Sequence, residues 1–326
     1  GDEFIASRNL YGGSVTQFGL AFKRLGWTCH FVDPADPENF RAALTPKTKA
    51  IFLEVLANPG GIIVDLEPVA AIAHEAGIPL VIDNTMATPV MCQPGHYGAD
   101  IIVYSTTKFL SGHGNALGGA VVDMGNFDWF AGRNYPALSA PDPAYHGITF
   151  AETFGKHGFI TYCHANVLRD LGATLSPMNA FLTLTGLETL PLRMRQHNEN
   201  AGKVAAFLAQ HDKISAVSWA GLPTSPYHQL AKKYLKGGAG SVFTATLKGG
   251  YEAGSRLVAS CNLISHLANI GDTRSLIVHP ASTTHRQLTS EQREAAGVGD
   301  GVIRLSIGIE HSEDIIADLA AALDEV

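Results

Sequence analysis

Asp100-Ile101-Ile102-Val103-Tyr104-Ser105-Thr106-Thr107-Lys108-Phe109-Leu110-Ser111-Gly112-His113-Gly114 is the stretch from which the rest of the chain is read. Its first half, Ile101 to Tyr104, is a short apolar run of the kind that forms a buried strand. Its second half switches to hydroxyls, one lysine and glycines. In α/β proteins ligands gather at the carboxyl ends of strands, where a run like this opens into polar groups. A lone lysine after a strand is most often a solvated surface residue. Here Ser105 and Thr107 flank it and can hold an anion, and Gly112 and Gly114 let backbone approach closely. A lysine beside hydroxyl donors and an apolar wall suits Schiff-base chemistry with an aldehyde cofactor whose phosphate rests on the hydroxyls. An ordinary lysine titrates near ~10.4 and is protonated at neutral pH. Partial burial lowers that value and frees the amine.

Outward from this stretch, strand-like and helix-like segments alternate. Strands are expected at Thr28–Val32, Ala50–Val55, Pro79–Ile82, Asp100–Tyr104 and Gly118–Val122. Helices are expected over about Val15–Leu25, Glu38–Leu44 and Leu66–Ala76. The alternation predicts an α/β fold with a mostly parallel sheet covered by helices. Asn9-Leu10-Tyr11-Gly12-Gly13-Ser14 is a glycine turn whose spacing fits neither a dinucleotide fingerprint nor a P-loop. Asp83 closes the strand Pro79–Ile82, 25 residues before Lys108, which leaves room for one crossover. Both residues can then face one crevice. Asp83 could equally be a helix cap. A buried carboxylate there needs a positive partner, and a protonated pyridine nitrogen would be one. Asn58 lies in Ala57-Asn58-Pro59-Gly60-Gly61, which by itself is an ordinary turn.

From Gly125 to Phe159 the pattern weakens into aromatics, prolines and histidines, read as an irregular insertion near the mouth of the site. Its histidines have no zinc-ligand spacing, so packed loop residues are expected. Helical periodicity resumes at Thr161–Leu171, Pro177–Thr185 and Leu190–Gln210, the last a natural bridge to a second domain. Strands at Ser215–Trp219, Ser241–Leu247, Ser275–Val278 and Val302–Ile307 then alternate with helices at Pro226–Tyr234, Tyr251–Cys261, Ser290–Ala296 and Ser312–Leu323. Arg304 sits inside the apolar strand Val302-Ile303-Arg304-Leu305-Ser306. Such an arginine is either exposed on a sheet edge or turned inward to a carboxylate. The polar clusters Asn269-Ile270-Gly271-Asp272 and His279 to His285 could lie beside it.

Composition excludes several classes. With 326 residues, 46% of them apolar, the chain can bury a large core and is expected to form more than one domain. Its net charge of −7 and its lack of basic clusters argue against nucleic acid. No apolar run approaches the ~20 residues that cross a bilayer. No signal peptide is visible, and Gly1 leaves the native start open. Cys29, Cys92, Cys163 and Cys261 are scattered, which predicts reduced core cysteines and a cytoplasmic protein.

Ser105 to Gly114 resembles the lysine signature of the Cys/Met-metabolism family of pyridoxal-phosphate enzymes, and similarity runs from Asn9 to the C-terminal helix. The resemblance implies the aspartate-aminotransferase-like fold, fold type I. A cofactor-binding large domain would occupy 1–190 and a smaller α/β domain 191–326. It implies pyridoxal 5'-phosphate as cofactor, with Lys108 as the Schiff-base lysine, Asp83 on the pyridine nitrogen and Thr85 against the ring. Tyr11 would stack on the ring and assist proton transfer, and Ser105 and Thr107 would hold the phosphate. Asn58 matches the asparagine near the phenolic oxygen and substrate. Arg304 matches the arginine that grips the substrate α-carboxylate, and Asn269 a second carboxylate contact that is often serine in relatives. The family's N-terminal segment, with a Tyr-x-Arg phosphate contact reaching the neighbouring subunit and a glycine phosphate turn, has no counterpart before Tyr11. An assembly of dimers into a homotetramer is implied. Within the family, Ala-Tyr-His-Gly-Ile-Thr-Phe and Ala-Asn-Ile-Gly-Asp look most like O-acetylhomoserine sulfhydrylases. The implied reaction is γ-replacement on an amino-acid ester by sulfide or methanethiol.

Two rivals differ in class. Tyr104-x-x-x-Lys108 also matches the Tyr/Lys pair of short-chain dehydrogenases. Those enzymes place the pair on a helix after a glycine-rich dinucleotide turn, and neither is expected here. An inactive relative serving as an assembly subunit is the other. Cystathionine γ-synthase and methionine γ-lyase chemistry remain open within the family.

Overall fold

The structure is a computed structural model that describes residues 1–57, 61–131, 135–287 and 289–326. Six strands form one sheet: β1 (Glu3–Ser7), β2 (Thr28–Val32), β3 (Thr48–Glu54), β4 (Leu80–Asp83), β5 (Ile101–Ser105) and β6 (Gly119–Asp123). Their order is β2-β1-β3-β4-β5-β6. All neighbours run parallel except β6, which is antiparallel to β5. The mostly parallel sheet is thus as expected. β1 is an addition: its apolar run Phe4-Ile5-Ala6 is buried between β2 and β3, whereas the sequence reading begins at Asn9.

The sheet buries Ile5, Ile51, Leu53, Leu80 and Ile82 beneath helix α2 (Leu66–Glu75), itself preceded by α1, the consecutive turns Gly12–Thr16, Gln17–Ala21 and Phe22–Arg24. On α2, Leu66, Val69, Ala70, Ile72 and Ala73 are buried along one stripe, the three-and-four spacing of an amphipathic helix. Each fully buried Leu, Ile or Val contributes roughly 1.5–3 kcal/mol. Asp100 fixes where β4 and β5 start. It accepts the Leu80 N–H at 2.8 Å and pairs with His74 Nε2 of α2 at 2.9 Å. Burial pushes its carboxyl up from the usual range, against those two contacts.

Two long helices come next, α3 (Pro177–Glu188) and α4 (Leu190–Ala209). Pro191 is tolerated in the first turn of α4, where amides have no helical partner. The second sheet contains β7 (Ile214–Ser218), β8 (Val242–Leu247), β9 (Ser265–His266), β10 (Leu276–Val278) and β11 (Val302–Ser306), in the order β9-β10-β11-β8-β7. Only β9 and β10 are parallel; the other pairs are antiparallel. Helices α4, α5 (Gly250–Ser260) and α6 (Ser312–Asp324) pack on it through Val204, Leu208, Leu257, Ile315 and Leu319. The core of the first sheet reaches beyond residue 190, to Met194, Tyr234, Val242 and Ile270.

Among the described residues of 125–159, none lines the cavity at the strand ends around Lys108, so the insertion is not at the site mouth. Trp129, Leu138 and Phe150 form a small cluster with Ile101, Val81 and Val103, against a face of the first sheet. The Tyr135 hydroxyl donates to the Lys49 carbonyl at 2.9 Å. The aromatics there cover strands, which is why the segment lacks helical or strand periodicity.

Candidate active site

Adjacent strand ends set the site. In register, Glu54 of β3 lies beside Asp83 of β4, and Asp83 lies beside Val103 of β5. β4 opens into Asn84-Thr85 and β5 into Thr106-Thr107-Lys108 at the same edge, where Glu54 ends β3. A cavity of about 240 Å³ there is lined by Tyr11, Glu54, Leu56, Asp83, Thr85, Met86, Ser105, Thr107, Lys108, Leu117 and Ile270. Lys108, Asp83, Thr85, Ser105, Thr107 and Tyr11 therefore share one pocket, the crevice expected of an α/β sheet. A larger hollow of about 470 Å³ is lined by Phe4, Phe18, Phe22, Trp27 and Phe52 together with Asp2, Glu3 and Lys49.

Lys108 sits in the turn Thr106–Leu110, directly after β5, with φ −91° and ψ −130°, outside the helical range. Its Nζ donates to Asn269 Oδ1 at 2.5 Å. Burial draws its ammonium below the ordinary lysine pKa, and the nearby Arg304 guanidinium adds to the shift. Both effects favour the free amine. Asn269 also joins the lysine to Arg304, whose Nη2 donates to the Asn269 carbonyl at 3.3 Å. β11 lies between β10 and β8, so Arg304 is on a central strand and not on an edge.

Asp83 forms no ion pair among the described residues, and burial pushes its carboxyl up against the pull of the Thr85 hydroxyl and N–H. The Thr85 N–H donates to Asp83 Oδ1 at 2.8 Å, and the Thr85 hydroxyl accepts the Ser105 N–H at 2.8 Å. These bonds tie the two strand ends together. A buried carboxylate without a cation fits a group that brings a positive N–H to it, as a pyridinium does. The Ser105 hydroxyl makes no hydrogen bond among the described residues and faces the same cavity. Thr107 Oγ1 is engaged with the backbone of Gly118, accepting its N–H at 3.1 Å. The residues present thus fit pyridoxal phosphate. Asn58 lies outside the described residues.

Three residues escaped the sequence reading. Glu54 is buried and accepts the Tyr11 N–H at 2.6 Å, anchoring the start of α1. Its signal was the same as that of Asp83, a carboxylate closing an apolar run. Arg193 and His197 of α4 are buried beside the lysine turn. Their spacing of four residues puts them on one face of the helix, but as polar residues they gave no core signal, and nothing local named their partners.

Residues 1–324 match the family described as Cys/Met metabolism PLP-dependent enzyme. An O-acetyl-L-homoserine sulfhydrylase of Leptospira meyeri is 46% identical, over 100% of this chain and 76% of its own length. O-acetyl-L-homoserine sulfhydrylase 1 of Thermus thermophilus is 45% identical, over 99% of this chain and 77% of its own. A crystal structure of a Campylobacter jejuni protein, named for O-acetylhomoserine (thiol)-lyase activity and containing a pyridoxyl-lysine monophosphate, superposes with a TM-score of 0.95. That chain is 41% identical, and the match covers 99% of the present chain and 77% of the other. With the lysine, the buried carboxylate and the hydroxyls in one crevice, the chain belongs to the Cys/Met-metabolism PLP-dependent enzymes, of fold type I.

Proposed function

We propose that the chain is a pyridoxal-phosphate-dependent transferase that exchanges the acetate of O-acetyl-L-homoserine for sulfide or methanethiol. The products are homocysteine or methionine, plus acetic acid. One C–O bond breaks and one C–S bond forms at Cγ, with no net oxidation. The observation that carries the reading is the chain Asp83 and Lys108 in one cavity, then Asn269, then Arg304.

Bound in this crevice, pyridoxal phosphate supplies an electron sink for charge developing at the substrate Cα. The Asp83 carboxylate holds the proton on the ring nitrogen, which its burial without another cation favours. Ser105 and Thr107, which line the cavity, would hold the phosphate, and Thr85 and Tyr11 would hold the ring. Lys108, its pKa lowered by burial, moves protons at Cα and Cβ. Tyr11 assists that transfer. Arg304 takes the α-carboxylate through parallel N–H bonds, with Asn269 beside it, and the resemblance also assigns Asn58 to the substrate.

We read residues 1–190 as the cofactor-holding domain and 191–326 as the smaller domain. No described helix is long and apolar enough to cross a membrane. We assign the enzyme to the cytoplasm as a homotetramer built from dimers, acting on small molecules and not on nucleic acid. Support for self-association comes from α3, where Met178, Phe181 and Leu184 are each more than 60% exposed. A contiguous apolar face of this kind marks an interaction surface.

The test is steady-state assay with O-acetyl-, O-succinyl- and O-phosphohomoserine, each with sulfide and with methanethiol. Preference for the acetyl ester with release of acetate is expected. Turnover of the succinyl or phosphoryl ester in preference, or cleavage without thiol addition, overturns the reading.

A further inference from the structure

We infer that Arg193 is a positioning residue for Lys108, its buried guanidinium holding the turn that carries the lysine. The inference rests on the reading of Lys108 as the cofactor lysine.

Arg193 is 4% exposed on α4 and forms no ion pair among the described residues. Its Nη1 donates to the Phe109 carbonyl at 2.7 Å, and its Nη2 to the carbonyls of Gly186 at 2.7 Å and Leu110 at 3.4 Å. Its Nε donates to Thr189 Oγ1 at 3.2 Å. The Phe109 and Leu110 carbonyls immediately follow Lys108, where the backbone has left helical geometry. Among the described residues they accept no backbone amide. A guanidinium is the one side chain with a rigid fork of donors able to serve several carbonyls together.

Packing alone does not account for a cation here. An apolar side chain of similar volume fills a buried site at lower desolvation cost. What the guanidinium adds is direction. Gly112, at φ +77°, belongs to the same arrangement, because a Cβ there would collide with the Arg193 guanidinium. One turn further along α4, the His197 ring meets Phe109 edge to face at 5.3 Å.

The opposite side of the turn is held as well. Thr273 N–H donates to the Gly112 carbonyl at 2.8 Å. At Gly271 a Cβ would lie 2.7 Å from Phe109 N, so that loop closes directly on the backbone. The lysine arm is flexible, and the position of Nζ therefore depends on how firmly residues 108–112 are fixed.

Two measurements on full-length protein test this, with Arg193→Met, Arg193→Lys and Thr189→Val compared to wild type. The first is amide hydrogen exchange of cofactor-free protein. Arg193→Met should speed exchange of residues 106–112 by roughly tenfold, while β8 keeps its wild-type rate. The second is the rate at which borohydride fixes pyridoxal phosphate to Lys108, read by peptide mapping. Arg193→Met should slow it roughly tenfold or more, since small misplacements of reacting groups carry large rate penalties. Arg193→Lys should recover part of both losses. Thr189→Val, which removes one of the bonds to Arg193 along with the Thr189 hydroxyl's bond to the Gly186 carbonyl and leaves the buried cation, should show the same changes at smaller size. It keeps the test open if Arg193→Met fails to fold.

Wild-type fixation rates in all folded variants, or equal acceleration of exchange in β8 and the lysine turn, overturn the positioning role. Fixation on a lysine other than Lys108 in wild type overturns the underlying reading, and the inference with it.

Discussion

Acidification should destabilise the protein through His197, by an amount the structure allows to be worked out. His197 is fully buried on α4, and its Nδ1 lies 2.7 Å from the Ile307 carbonyl. A carbonyl only accepts, so Nδ1 carries the proton and Nε2 is bare in the neutral ring. Nε2 is buried and has no hydrogen-bond partner among the described residues, so protonating it would create a buried donor with nothing to bind. Burial is the main cause that holds the pKa down to about 4, from 6.5. Arg193 nearby deepens the shift, and the Ile307 carbonyl and Asp272 oppose it. Linkage gives the sign. As pH falls below 6.5 the unfolded chain takes the proton first, so stability present above 6.5 is lost progressively toward pH 4. At pH 5 the loss is about 2 kcal/mol, at ~1.4 kcal/mol per pKa unit. With an unfolding entropy of ~2.1 cal/mol/K per residue, that lowers Tm by roughly 3 °C. The assay is thermal melting from pH 7 to 4.5 for wild type and His197→Asn, whose amide nitrogen can take the place of Nδ1. Ionisable groups other than residue 197, Asp83 and Asp100 among them, are common to both proteins and cancel in the difference. The variant should be less stable at pH 7 and lose less on acidification. Parallel curves would refute the assignment.

Three further outcomes are expected. Lys108→Ala should lose borohydride-fixed pyridoxal phosphate altogether; label retained on another lysine removes Lys108 from the site. Asp83→Asn should keep the fold, since the Thr85 N–H bond can persist to an amide oxygen. It should nevertheless lose most turnover, because an amide cannot hold a proton on the ring nitrogen; near-normal kcat would reduce Asp83 to a turn residue. Arg304→Lys should raise apparent KM at least ~10-fold, because lysine cannot reproduce the guanidinium fork and ~1.4 kcal/mol corresponds to that factor. An unchanged KM, or equal damage to cofactor affinity, would count against a carboxylate contact.

The first sheet was legible where strands are buried on both faces and read as apolar runs. β3, β4 and β5 lie within a residue or two of where the pattern puts them. β1 was missed because its run, Phe4-Ile5-Ala6, is too short to signal by itself. It becomes a strand because β2 and β3 pair with it from either side. The segment 125–159 defeated periodicity for a related reason: its aromatics answer to the sheet face beneath them, not to a neighbour three or four residues away.

The sequence by itself determined the identity of the chemistry. Lys108 with Ser105 and Thr107, and Asp83 at a strand end, are short-range features, set by the polar residues at the end of an apolar run. Tertiary structure decided everything that depends on distance across the chain. Only the strand order shows that Arg304 is central. Only the packing of α4 and the Asn269–Thr273 loop on the lysine turn shows which groups surround Lys108: Asn269 at its amine, Arg193 on the carbonyls beyond it. Local sequence carries the propensity of a strand and the valence of a side chain. Which valences meet is set by long-range packing, where residues 161 apart, Lys108 and Asn269, come within one hydrogen bond.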